Sequence, residues 1–147
     1  MRGGNVVDRT KESLNLFIAI MRTNNALSQI SKSDAASIGL NVTEFAVLEL
    51  LYNRGEQPIQ RIGERILIAS SSTTYVVDKL CDKGLIERRP DTKDRRVTYA
   101  SITEAGKEVM DGVFPKHSEH ISNMFATLSE DELAQLKATL AKISRHG

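Results

Sequence analysis

The chain has 147 residues, 40% hydrophobic and 27% charged, with a formal net charge of +1. One ordinary hydrophobic core fits that length and two independent domains do not, while apolar runs such as 14–21 and 47–51 fall well short of the roughly 18 residues of a membrane span. The single cysteine, Cys81, excludes an internal disulfide and a Cys-rich metal framework, and the first residues lack the apolar stretch of a secretory signal, so a cytoplasmic location is expected.

Taken in chain order, the pattern opens with a helix from about residue 10 to 30. Leu14, Phe17, Ile18 and Met21 fall three and four apart, on one face, and the helix is expected to fray through 31–40. A second helix, with Thr43 as its expected N-cap, carries Phe45, Val47, Leu48, Leu50 and Leu51 and stops near Gly55. Being apolar almost all round, it should be central. A third, short helix follows, with Pro58 in its first turn and Ile59, Ile62, Gly63 and Ile66 as its buried stripe.

Residues 67–83 form a fourth helical segment in which Thr73, Val76, Val77 and Leu80 face inward, leaving Ser71, Thr74, Tyr75 and Asp78 outside. Two short helices about four residues apart, the second starting with small hydroxyls, is the layout of a helix-turn-helix whose second helix enters a major groove. Ser70, Ser71, Ser72, Thr74, Tyr75 and Lys79 are the candidate contacts, since short donors allow close approach to base edges. A capped helix start on a solvated surface is the alternative from periodicity alone.

After Gly84, which suits a helix stop, 85–89 and 97–102 read as two strands around the polar turn 90–96. Arg88, Lys93, Arg95 and Arg96 cluster here, with Asp94 placed to hold a guanidinium. A hairpin in this position is a wing, whose tip can reach a narrow minor groove; a solvated charged hairpin is the plainer account. Residues 58–103 carry nine Lys or Arg against six Asp or Glu, whereas the rest of the chain carries 11 against 13. The basic charge is thus central, which the overall +1 conceals.

The C-terminal part is helical again, from 103 to about 128 with a kink expected at Pro115. A last helix is announced by the capping box Ser129 to Glu132, followed by Leu133, Leu136, Leu140 and Ile143 on one stripe.

The run from Asp78 to Asp91, then Asp94-Arg95-Arg96 and Ser101 to Gly106, resembles the signature of the MarR family of transcription regulators. The resemblance is close over about 40 residues and extends, in the order of helices, over nearly the whole chain. It implies a mainly α fold with a small β-hairpin wing, a winged helix-turn-helix with N- and C-terminal dimerisation helices. One domain would span 1–147, with a DNA-binding lobe at about 41–102 and dimerisation helices at about 8–32 and 103–145. It also implies Arg96 as the minor-groove residue, oriented by Asp94. In such a homodimer the two recognition helices sit about 34 Å apart, so the partner is double-stranded DNA carrying a palindromic operator. Two departures stand out: Tyr75 where many relatives carry a cation, and Thr73 at a usually aliphatic inward position.

The resemblance further implies a repressor released by a small aromatic or phenolic effector, and Phe17, Met21, Phe45 and Tyr52 are candidates to line its pocket. Against an enzyme, Ser70-Ser71-Ser72 lacks the glycines of a nucleophile elbow, and no Gly-rich phosphate loop is present. No cofactor is expected. Two competing readings are a thiol-based sensor through Cys81, flanked by Lys79 and Lys83, and a winged-helix interaction module that does not bind DNA. Cys81 reads more simply as a packed cysteine, and His117 and His120 as surface histidines, since no third metal ligand is evident.

Overall fold

A computed structural model of the chain describes the backbone of residues 2–66 and 70–144 and the side chains of 8–66 and 72–144. Its elements run α1 (Arg2–Ala36), α2 (Val42–Arg54), β1 (Gln57–Pro58), α3 (Ile59–Ile66), α4 (Ser70–Asp82), β2 (Ile86–Pro90), β3 (Thr98–Ile102), α5 (Glu104–Met124) and α6 (Glu130–Ser144). The mainly helical architecture with a hairpin wing is as the sequence implies.

The first helix is longer than its periodicity suggests and continues to Ala36 where fraying is expected. Asp34 and Ala35 are buried in those last turns, so tertiary packing against α2 and α5 holds a segment whose own pattern is weak. The start of α2 also differs. Its N-cap is Asn41, whose Oδ1 accepts from the Glu44 N–H at 2.8 Å while Glu44 Oε1 accepts from the Asn41 N–H at 2.9 Å. That reciprocal box satisfies two backbone donors at once and leaves Thr43 inside the first turn.

Pro58 is not in the first turn of α3 but in the short strand β1, which pairs antiparallel with β3. The wing is therefore a three-stranded sheet of order β1-β3-β2, not a bare hairpin. In its main pairing Ile86 opposes Ile102, Arg88 opposes Ala100 and Pro90 opposes Thr98. Gly84, at φ +73°, ends α4 in the left-handed region, with the Leu85 N–H bonded back to the Leu80 carbonyl.

Phe45, Val47, Leu48 and Leu51 of α2 are at the centre of the core, as their all-round apolar pattern requires. Ile62, Val76, Val77, Leu80, Ile86, Ala100, Met110 and Val113 close around them. Thr73 is buried with this inward face of α4. Thr103 caps α5: its hydroxyl donates to the Gly84 carbonyl at 2.7 Å and accepts from the Gly106 N–H at 3.0 Å. The helix then runs on through Pro115.

At the far end Ser129 and Glu132 form the expected capping box, yet no residue of α6 is buried. Leu133, Leu136, Leu140 and Ile143 are all exposed, as are Leu14, Phe17, Ile18 and Met21 of α1. Among the described residues no helix is long and apolar enough to cross a membrane.

Candidate nucleic-acid interface

Burial divides α4 into two faces. Thr73, Val76, Val77 and Leu80 point into the core, whereas Ser72, Thr74, Tyr75, Asp78 and Lys79 are exposed. Ser70 and Ser71 belong to the helix, but their side chains lie outside the described residues, as do residues 67–69 that join it to α3. Tyr75 is 62% exposed. Lys79, one turn on, places its Nζ 5.4 Å from the Tyr75 ring centroid, a cation–π stack on the outer face.

Adjacent arginines of β2 go to different partners. Arg88 pairs with Asp78 on α4 and brings Nη1 within 3.9 Å of Cys81 Sγ, joining wing to helix. Arg89 reaches Glu56 at 2.6 and 3.2 Å and lies 4.9 Å from the Tyr99 ring centroid. The Arg89 guanidinium holds the Glu56 carboxyl below its usual range. Sequence reasoning passed over Arg89, Glu56 and Tyr99 as a unit. It likewise missed Lys83, whose Nζ lies 3.2 Å from both Glu44 oxygens and from the Gly39 carbonyl, tying the end of α4 to the start of α2. A lysine at a helix C-terminus was the available signal there.

At the wing tip the Asp94 and Arg96 expectation acquires geometry. Asp94 Oδ1 accepts from the Arg96 backbone N–H at 3.0 Å and from Nε at 3.1 Å, and Oδ2 accepts from Nη2 at 3.3 Å. These bonds hold the Asp94 carboxyl below its ordinary range. The Arg96 side chain is nonetheless 90% exposed, so the fork is aimed without being covered. Lys93 and Arg95 are exposed beside it.

A cleft of about 530 Å³ opens where α1, α2, α3 and α5 meet, lined by Phe45, Glu49, Leu50, Ile66 and His117 among others. Of Phe17, Met21, Phe45 and Tyr52, the candidates for an effector pocket, only Phe45 lines this cleft. Phe17 and Met21 project from the exposed stripe of α1, and Tyr52 instead donates to Asp111 Oδ1 at 2.5 Å and stacks near Phe114.

His117 is not a surface residue. It is 6% exposed, meets the Phe45 ring edge-on at 5.0 Å, and binds Asp34 Oδ2 through Nδ1 at 2.8 Å. His120 Nδ1 lies 2.9 Å from Asp34 Oδ1, so one buried carboxylate joins the end of α1 to two positions on α5. On its other side His117 Nε2 is 3.4 Å from Glu49 Oε2. Burial pushes the Glu49 carboxyl above its ordinary range, and His117 pulls it part of the way back. Among the described residues no three His, Cys, Asp or Glu side chains are grouped to hold a metal ion.

An exposed helix-turn-helix face followed by a basic wing defines a winged-helix DNA-binding transcription regulator. The MarR family model matches residues 40–98, which span α2 through the start of β3. Over 134 residues, 91% of this chain and 92% of the relative, the sequence is 46% identical to the HTH-type transcriptional regulator MhqR of Bacillus subtilis (strain 168). This chain belongs to the MarR family. Its fold is similar to that of a mutant of E. coli MarR complexed with operator DNA (TM-score 0.78, 20% identity, 90% of this chain and 95% of that one). It is similar again to that of NadR in complex with 4-hydroxyphenylacetate (TM-score 0.77, 19% identity, 86% and 89%). The relatives are regulators, not enzymes.

Proposed function

We propose that the protein is a homodimeric repressor that holds a palindromic operator through α4 and the wing and lets go when a small aromatic, phenolic ligand occupies the cleft between α1, α2, α3 and α5. The observation that carries the DNA-contact assignment is Arg96, exposed at the wing tip and fixed in direction by Asp94. A guanidinium so oriented suits the concentrated negative potential of a narrow minor groove. Ser70, Ser71, Ser72, Thr74, Tyr75 and Lys79 would read the major groove, with Lys93 and Arg95 on phosphates. Arg88, already paired with Asp78, would chiefly keep wing and helix in register.

The cleft supports the ligand part. It lies where helices of the dimerisation ends meet those of the DNA-binding lobe, so a wedge there alters the spacing of the recognition helices. A coupling of about 1 to 3 kcal/mol lowers operator affinity roughly 5- to 150-fold. NadR, a protein of similar fold, is found in complex with 4-hydroxyphenylacetate, a hydroxylated aromatic molecule that also carries a carboxylate. Oxidation of Cys81 is the less favoured trigger, because burial pushes its thiol up and Arg88 pulls it back only in part, and reactivity belongs to the thiolate.

The test titrates operator complexes of the native protein and Cys81→Ser with an unreactive phenol and with peroxide. Release of both proteins by the phenol is expected. Release of the native protein alone, and only by the oxidant, would overturn the ligand reading.

A further inference from the structure

The polar wall of the cleft carries information about what it accepts. Phe45, Leu50 and Ile66 supply an apolar lining, and Glu49, His117 and Arg54 the charged groups. A carboxylate only accepts hydrogen bonds, so His117 Nδ1 donates to Asp34 and is fully engaged there. Its Nε2 lies 3.4 Å from Glu49 Oε2, at ion-pair distance. Among the described residues His117 is the one polar partner of Glu49, so the remaining Glu49 oxygen is an acceptor to which none of them donates. Its side chain is 34% exposed, on the cleft. Arg54 is exposed to solvent and its charge is correspondingly screened.

We infer that Glu49 makes the cleft selective for aromatic ligands that are un-ionised hydrogen-bond donors, a phenol hydroxyl being the fit, and disfavours aromatic carboxylates of the same size. This rests on the cleft being the effector site. A phenol hydroxyl entering the cleft donates to the remaining Glu49 oxygen and replaces the water it displaces, while its ring packs against Phe45 and the aliphatic wall. A ligand carboxylate at the same point faces a second carboxylate in a partly dehydrated setting, where like charges repel most strongly. The upward push of burial on Glu49 is a sign of that dehydration.

The experiment measures calorimetric binding of 4-ethylphenol and 4-methylbenzoate to the full chain near neutral pH, where the first is un-ionised and the second an anion. The native protein should prefer the phenol by about tenfold or more. Glu49→Gln should narrow that preference several-fold, chiefly by admitting the carboxylate, and Glu49→Leu should weaken the phenol, having no acceptor to offer. Equal or tighter binding of the carboxylate by the native protein overturns the inference, as does a preference unmoved in Glu49→Gln. If both compounds bind alike and both release operator DNA, the inference fails while the effector-site reading stands. If the native protein binds neither, the effector-site reading fails and takes the inference with it.

Discussion

An exposed guanidinium serves a groove only when its direction is set, and the three bonds from Asp94 set that of Arg96. Arg96→Ala should weaken operator binding by about 1 to 3 kcal/mol, measured by gel shift at fixed salt; unchanged affinity would remove the wing from the DNA-contact assignment. The pairing was legible from sequence because its two members lie two residues apart in one turn. Arg88 and Arg89 were not separable in that way. Neighbours on a strand point to opposite faces, and which finds Asp78 and which finds Glu56 depends on how other elements, 10 and 33 positions back, pack against the strand. The same holds for His117, whose burial is decided by Asp34, 83 positions earlier.

At the scale of elements, the junction between wing and α5 illustrates a constraint carried by backbone rather than side chains. A Cβ added at Gly106 would run into the Leu85 carbonyl and the Ile102 side chain, and that carbonyl is itself bonded to the Thr103 N–H at 3.0 Å. The obstruction is backbone, which cannot rotate aside. Gly106→Ala should therefore destabilise the fold by about 1 to 3 kcal/mol even though alanine is the better helix former, read as a fall in thermal midpoint; a variant as stable as the native protein would show that α5 can shift freely at its start. The element boundaries that sequence misplaced share one cause. Thr43 and Asn41 are both acceptable caps, and Asn41 wins because Glu44 completes its box. Pro58 suits either a first turn or an edge strand, and pairing with Tyr99 places it in the strand.

For the molecule as a whole, the outstanding feature is apolar surface that the single chain does not cover. Leu14, Phe17 and Ile18 on α1 and Leu136, Leu140 and Ile143 on α6 are between 41% and 62% exposed. Each such side chain, once buried, contributes about 1.5 to 3 kcal/mol, which is how two copies would gain a stable interface from their terminal helices. Sedimentation at micromolar concentration should show a dimer, with Leu136→Glu shifting it toward monomer or loss of fold. A stable, well-folded native monomer would refute the assembly on which two spaced recognition helices depend.

The sequence by itself determined the order of the helices and of the two hairpin strands, the inward face of α4, the capping box of α6 and the position of the wing, because each rests on spacings within a few residues of one another, while the run from Asp78 to Gly106 carried the family resemblance. Only the tertiary structure decided that α1 runs to Ala36, that β1 adds a third strand, that His117 is buried on Asp34, and that the cleft is walled by Glu49 and His117 rather than by Phe17, Met21 and Tyr52. Those features join residues tens of positions apart, and their energies come from burial and pairing that exist only once the helices have met.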